Sequence, residues 1–485
     1  MFLAACFIIL FIIFISKWII FWKKIRAASK SLFDIPRADG IPIAGNIGDF
    51  FCSEVEKWKR SRERASKYYP IYRIQVFGSN IVCLLNPEDI QTILGDLKQT
   101  SKGDIHDFFG RLIGNGIVNS EGEIWHKRRK LLTKSFHFSV LRNYIEIFNN
   151  GVKRTVHHLK KEVNLPVDVL RHSKNLMFRI VNESIVGEKT TVEDKDVEQY
   201  IEGAQTIMKI LHYNSTRPYM TWLYRNISMR DEVETALKNI SNVLAKVLAG
   251  KDSTNPVKND EHSWKLLDLL RAAKNLFQAQ EIKDEVNTFL LGGHNGSATA
   301  LSYILMVIAN YTNYQEDIYE EMKTNISDME NPTYAELKSM DFLDRFLKEC
   351  IRLYPPGPYI VRKLDCEVVT KSGYTLPTGT HLIIHIFDVH RNAAVFTEPD
   401  KFNPDRFLAD NVRDRHPFSY IPFSAGPRNC LAQKYSMLKL KACVCGILRN
   451  FKLEPISLLK DMVFVPNTVL KTKEDIRVKF VSRKT

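Results

Sequence analysis

The sequence predicts a mainly α-helical protein with small β-sheets, built as one large domain behind an N-terminal transmembrane helix. Three observations predict it. The first 22 residues are apolar almost throughout. From about residue 120 to 350, apolar side chains recur at helical spacing. Short alternating runs bounded by Gly, Pro and Asn stand near the two ends of the remaining chain.

The first element is a membrane anchor, residues 1–22. Phe2 to Ile15 is an unbroken apolar run, and after Ser16 and Lys17 it resumes from Trp18 to Trp22. About 21 such residues are enough to cross a hydrocarbon core as a helix. Lys17 lies near the end, where its stem reaches the headgroups, and Trp18 and Trp22 suit the interfacial belt. Lys23, Lys24 and Arg26 follow, with no charged side chain before the run, so the positive-inside rule puts the rest in the cytosol. A cleaved signal peptide fits less well. There is no basic n-region, and the small-residue stretch Ala27-Ala28-Ser29 lies beyond three basic residues. No second run of spanning length follows, which predicts a single pass.

Residues 23–46 read as a basic juxtamembrane stretch followed by a Pro/Gly arm containing Pro36, Gly40, Pro42 and Gly45. The prolines and glycines exclude a helix there and suggest a semi-rigid arm, although the composition fits an ordinary linker equally well. The folded domain is then expected over 47–485. Ile71 to Phe77 and Ile81 to Leu85 predict two strands around Gly78-Ser79-Asn80. Asn86-Pro87-Glu88-Asp89 predicts a helix start, with Pro at its first position and acids against the dipole. Lys251 to Glu261 is a polar break between helices, and a proline-free helix is expected from Glu281 to about Tyr311. Strand pattern returns over 374–387, and Leu431 to Leu448 predicts a last long helix followed by extended segments.

Composition narrows the function classes. With 45% hydrophobic and 26% charged residues, the 485-residue chain is neither collagen-like nor disordered. Its net charge of +14 suits an acidic partner or an anionic membrane surface. Without long Lys/Arg runs or zinc-finger spacing, nucleic acid is not expected. None of the eight cysteines forms a C-x-x-C pair, which argues against a zinc site or a thioredoxin-type motif.

One cysteine stands apart. In Phe423-Ser-Ala-Gly426-Pro427-Arg428-Asn-Cys430, Gly426 and Pro427 forbid regular structure, and a helical pattern begins just after Cys430. Free N–H groups at a helix start favour a thiolate, and a thiolate is a good axial ligand for haem iron. A buried structural thiol is the usual fate of a lone cysteine, but the spacing F-x-x-G-x-R-x-C is specific. It resembles the cysteine-ligand loop of the cytochrome P-450 superfamily, the haem-thiolate monooxygenases. That loop usually continues C-x-G, whereas Ala432 stands at the last position here.

The resemblance extends along the chain from Ile35 onward. Glu349-Cys-Ile-Arg352 looks like the family's E-x-x-R, a weak signal alone that gains weight from Leu353-Tyr-Pro355-Pro356 and Arg362. Pro404-Asp405-Arg406-Phe407 looks like its P-E-R-F segment, which implies a Glu349, Arg352 and Arg406 cluster behind the haem. Trp125 and Arg129 stand in the pattern W-x-x-x-R, which implies contact with a haem propionate. The bland alternative is a solvated basic helix. Phe423, Arg362 and Arg428 are implied as further haem contacts and Cys430 as the iron ligand. Lys130 to Phe138, Asp388 to Asn392, and Arg217-Pro218 ahead of Trp222 to Arg225 resemble the family-4 branch, which includes fatty-acid hydroxylases and insect enzymes.

The distal helix departs from that pattern. Where the family reads approximately [A/G]-G-x-[D/E]-T-[T/S], this chain has Gly292-Gly293-His294-Asn295-Gly296-Ser297. The usual acid and alcohol relay protons to the oxygen being activated. Asn295 does not ionise and Gly296 has no hydroxyl, which leaves Ser297 and Thr299 as partial substitutes, each rotated on the helix. Gly292 stands where family-4 members often carry a Glu that bonds covalently to haem, so that bond is not expected here.

The resemblance implies a haem b monooxygenase of the endoplasmic reticulum membrane, with its catalytic domain in the cytosol. It would take NADPH electrons through a flavoprotein reductase, with cytochrome b5 as a second donor. Its substrate would be a fatty acid, another lipid or a hydrophobic xenobiotic. Two alternatives stay open. One is a reductase-independent haem-thiolate isomerase or dehydratase of lipid peroxides, which the missing acid and alcohol fit. The other is a non-catalytic haem protein that senses or sequesters ligands.

Overall fold

The computed structural model describes residues 30–41, 44–76, 79–103, 110, 112–186, 192–216, 230–249, 265–273, 276–465 and 467–483. The anchor at 1–22, the basic stretch before Lys30, the segment 217–229 and the polar break at 251–261 lie outside them. Among the described residues no helix is long and apolar enough to cross a membrane.

The N-terminal half begins with α1 (Glu54–Lys67), β1 (Ile71–Val76), β2 (Ser79–Leu84) and α2 (Pro87–Leu94). A long helical run follows: α3 (Gly122–Leu132), α4 (Ile145–Leu159), α5 (Val169–Val186), α6 (Asp194–Thr216), α7 (Arg230–Leu248) and α8 (Leu266–Ala272). Among the described residues, the one strand within it is the three-residue β3 (Pro166–Asp168). Then come α9 (Ala279–Asn310), α10 (Thr312–Asn325) and α11 (Asp341–Leu353). The C-terminal part holds β4 (Ile360–Lys363), β5 (Val368–Val369), β6 (Thr375–Leu376), β7 (His381–Ile384) and α12 (Gln433–Asn450). It closes with β8 (Phe451–Pro455), β9 (Phe464–Val465), β10 (Lys471–Thr472) and β11 (Arg477–Ser482). This is the mainly helical single domain with small sheets that the sequence predicts.

The four-stranded sheet runs β1-β2-β7-β4, with β2 parallel to β7 and the other pairs antiparallel. Strands from both ends of the chain therefore close one sheet. A second sheet runs β3-β11-β8, and its strands β8 and β11 contact α9. The main core is built where α9 packs against α5, α11 and α12, with Leu301, Ile304, Met306, Val307 and Ile308 essentially fully buried. That arrangement places the middle of α9 across from the start of α12.

Three local differences from the sequence reading have clear causes. The segment from Ile35 to Asn46, expected as an arm ahead of a domain starting at 47, folds onto β1. Ala38 N–H donates to Arg73 O at 2.9 Å, Asn46 N–H donates to Gln75 O, and Ile35 and Ala38 are buried. The apolar side chains of the arm outweigh its turn residues. Strand β2 begins at Ser79, not Ile81, because Val76 pairs directly with Ser79 and the Asn80 side chain accepts from Arg73 at 3.0 Å. Helix α12 begins at Gln433, two residues later than the sequence pattern suggests.

Candidate functional site

The cysteine loop is shaped by its backbone. Ser424 has φ +61° and Gly426 φ +70°. A Cβ on Gly426 would stand 1.6 Å from the carbonyl oxygen of Leu94, so only glycine fits where the loop meets the end of α2. Cys430 N–H donates to Phe423 O at 2.8 Å, which closes the loop. The Ala432 N–H bonds the Cys430 thiol. The side chain is exposed yet densely surrounded by protein, as a group is when it faces an internal hollow. Burial pushes its pKa up, against the Ala432 N–H and the charges of Arg129, Lys439 and Lys102.

Cations gather around that hollow. Arg129 donates to the carbonyl of Asn429 at 2.8 Å and to its side chain at 2.5 Å. Arg428 donates to the carbonyls of Thr100 (2.9 Å), Ile117 (3.2 Å) and Ser120 (2.7 Å), and its guanidinium lies 4.4 Å from the ring centre of buried Trp125. Arg362 is buried and donates to Val361 O. Lys102 completes the group; its pKa is lowered by burial and by Arg362 and Arg428 beside it. Burial and Arg428 hold Arg362 down at about 10, and burial lowers Arg428 to about 10 as well. Cations that depress one another in a hollow call for a ligand with more than one negative charge. The two carboxylates of a haem meet that need, and the open thiol meets its iron. The donor set fits the group.

Lys102 is the residue that sequence reasoning missed. It belongs to no motif, and only the fold brings it beside side chains hundreds of residues away. Arg128, beside Arg129 in the W-x-x-x-R stretch, turns out to serve another purpose. It is buried, and it pairs with Glu281 at 2.5 Å and Glu285 at 3.2 Å on α9. Burial raises Glu285 to about 7, against an N–H from Ile117 at 3.0 Å and the charge of Arg128. Helix α3 therefore ties the cysteine loop to α9, Arg129 on one side and Arg128 on the other.

Glu349, Arg352 and Arg406 meet as one cluster. Arg352 donates to Glu349 at 2.7 and 2.9 Å with both side chains fully buried, and Arg406 lies 3.4 Å from the same carboxylate. Asn403 N–H adds a bond of 2.8 Å. The cluster reaches the cysteine loop through His390. Arg352 donates to His390 O at 2.8 Å, His390 Nδ1 donates to Arg352 O at 3.2 Å, and Ile421 N–H donates to His390 Nε2 at 2.9 Å.

On α9, Cβ atoms built at Gly292 and Gly296 meet nothing within 4 Å. These two positions, one turn apart, border open space, which leaves room for a flat cofactor against α9. A Cβ added at Gly293 would instead stand 3.0 Å from the Val181 side chain. Asn295 and Thr299 line a cavity of about 500 Å³ with Leu291, Met208 and Val469. Ser297 is buried on another face of α9 and does not line that cavity; neither do Cys430, Gly292 or Gly296, so the cavity lies beside the hollow at the thiol and not within it. His294 Nδ1 donates to Leu290 O at 2.6 Å, and burial holds its pKa at about 4, so the ring is neutral at pH 7.

Known proteins resemble this chain over most of its length. The sequence model of the family described as cytochrome P450 matches residues 36–480. The chain is 29% identical to cytochrome P450 4c21 of Blattella germanica, over 92% of this chain and 93% of that one. It is 29% identical to cytochrome P450 4c3 of Drosophila melanogaster, over 96% and 92%. It is also 29% identical to cytochrome P450 4V2 of Mus musculus, over 83% and 81%. The crystal structure of the cytochrome P450DA heme domain superposes with a TM-score of 0.80 at 18% identity, over 93% of this chain and 98% of that one, and so shares the fold. A cysteine loop flanked by cations thus stands in a chain that matches the family almost from end to end, and the protein belongs to the cytochrome P450 family of haem-thiolate monooxygenases, close to its family-4 members.

Proposed function

We propose that this protein is an NADPH-reductase-dependent monooxygenase that inserts one atom of O₂ into a hydrophobic substrate, a fatty acid or related lipid. When bound, haem supplies the activation of O₂, with electrons from NADPH through a flavoprotein reductase and cytochrome b5 as a second donor. The chain's own residues do the rest. Cys430 holds the iron. Lys102, Arg129, Arg362 and Arg428 hold the propionates, with Trp125 and Phe423 packed beside them. Glu349, Arg352 and Arg406 brace the loop from behind. Gly292 has no side chain with which to bond the cofactor covalently. The cavity at Asn295 and Thr299 takes the substrate, and its size suits a ligand of lipid or drug dimensions. Residues 1–22 anchor the domain to the endoplasmic reticulum membrane from its cytosolic side.

The observation that carries this reading is the open Cys430 thiol at the end of its loop among the charges of Arg129 and Lys102, in a chain whose α9 leaves Gly292 and Gly296 uncovered. Its test is direct. The reduced chain with CO is expected to show the thiolate-type Soret band, and Cys430→His to lose it. The same band in Cys430→Ser would sink the reading.

A second reading has an observation in its favour. Asn295 and Gly296 leave α9 without an acid or an alcohol at the expected positions, and a reductase-independent isomerase or dehydratase of lipid peroxides needs neither. Turnover of a lipid hydroperoxide without reductase, and no NADPH use with one, would select it. Haem binding with neither activity would select a ligand sensor.

A further inference from the structure

Lys439 on α12 is fully buried, and its ammonium donates to the carbonyl of Gly293 at 3.1 Å. It has no carboxylate within ion-pair reach among the described residues. Lys441, two positions on, is also buried but has Asp344 at 3.0 Å. A buried lysine without a carboxylate is costly to keep. The mechanism above gives it no task. Its surroundings are specific: the Tyr435 ring lies 4.8 Å away, the thiols of Cys443 and Cys430 work against the burial that lowers its pKa, and His294 on α9 feels its charge.

We propose that Lys439 is a positioning residue for the haem-thiolate chemistry, tying the glycine turn of α9 to the helix that follows Cys430 and placing a cation in the field of that thiolate. The proposal rests on the haem-thiolate reading above. The tie acts at Gly293, between the two open positions 292 and 296, so it fixes the height of that turn over the hollow. The charge acts on the site from inside the protein, where screening is weak. A cation there favours the arrival of an electron at the iron that Cys430 holds. Burial lowers Lys439 to about 7, so its charge is adjustable near neutrality. The other titratable groups facing it behave differently. Burial pushes Cys443 up to about 12 and Tyr435 higher still, and His294 is down at about 4. Lys174 on α5, lowered by burial, acts on His294 from the far side.

The test is a spectroelectrochemical titration of the haem-loaded full chain, as wild type, Lys439→Met and Lys439→Arg. Lys439→Met is expected to shift the ferric–ferrous equilibrium at least tenfold toward ferric, about 59 mV for one electron. Lys439→Arg, which keeps the charge, is expected to stay within threefold of wild type. Equal potentials in wild type and Lys439→Met would overturn the proposal. Should Lys439→Met fail to load haem, the wild-type potential followed from pH 6 to 9 decides. It should grow more negative as Lys439 loses its proton, by a step that Lys439→Arg lacks, and a flat wild-type profile overturns the proposal. A thiolate-type Soret band with unchanged potentials sinks Lys439 alone; a wild type without that band sinks the haem-thiolate reading and the proposal together.

Discussion

The backbone N–H of Ile421 donates to the Nε2 of His390 across 2.9 Å. That bond fixes the tautomer: Nε2 accepts, so Nδ1 carries the proton, and it spends that proton on Arg352 O. A single neutral imidazole thereby joins the Glu349–Arg352 cluster to the strand of chain that leads into the cysteine loop.

Acid should break that joint. Burial lowers His390 from 6.5 to about 3. A histidine whose folded pKa lies below its unfolded value stabilises the fold fully above the unfolded value, and that contribution is lost as pH falls from about 6.5 toward 3. One such group changes stability by at most about 1.4 kcal/mol per pH unit. His390→Gln, which offers an acceptor and a donor without titrating, should lose less stability between pH 7 and pH 4 than wild type. Thermal midpoints across that range check it, and parallel curves would refute it.

Gly426→Ala should be far more harmful than its size suggests. The φ of +70° alone costs an L-residue about 1–2 kcal/mol, and the added Cβ strikes the Leu94 carbonyl. The expected result is a destabilised chain that retains little haem, measured by denaturation midpoint and Soret absorbance. Ordinary haem content would mean that the loop and α2 separate easily.

Lys102→Leu should have effects of opposite sign in the two states of the protein. Removing one of several mutually opposed cations relieves the empty site, because Arg362 and Arg428 both act against Lys102. It also removes a partner of the propionates. The haem-free chain should be as stable as wild type or more so, while haem should pass to a competing apoprotein roughly tenfold faster, as expected for loss of about 1.4 kcal/mol. Unchanged haem transfer would remove Lys102 from the site.

Asn295→Asp with Gly296→Thr should raise the fraction of NADPH that ends in product when a plain fatty acid is the substrate. Open space beside Gly296 leaves room for the new side chain. A positioned acid–base group is typically worth about 10²–10⁴ in rate. Peroxide release and product formation, measured together, check it. High coupling in wild type that survives Thr299→Ala would place proton delivery in ordered water instead.

Much of this site was legible because it rests on residues close in sequence. Phe423, Gly426, Arg428 and Cys430 lie within one loop, and Glu349 and Arg352 are one helical turn apart. Arg406 was legible only through its local Pro-x-Arg-Phe setting. Lys102, His390 and Lys439 were not assigned roles because their partners come from distant segments. A lysine in an ordinary stretch gives no sign that three arginines will surround it. Likewise, the Pro/Gly character of the segment from Ile35 to Asn46 hid its docking on β1, since turn residues announce conformation and not burial. The Arg129 and Arg128 pair shows the same limit. Adjacent residues of one charge read alike, yet one faces the cysteine loop and the other the carboxylates of α9.

Arg428 also bears on how the protein comes into being. Its three carbonyl partners lie 308 to 328 residues earlier in the chain. On the ribosome, Thr100, Ile117 and Ser120 emerge long before the side chain that will join them. At roughly 5–20 residues per second the wait lasts on the order of 15–65 seconds. During that interval the walls of the hollow exist as separate pieces, without the loop that closes it. A nascent chain therefore lacks the loop that carries Cys430 until almost nine-tenths of it has been made, and a transcript cut short of Arg428 leaves Thr100, Ile117 and Ser120 without their shared fastening.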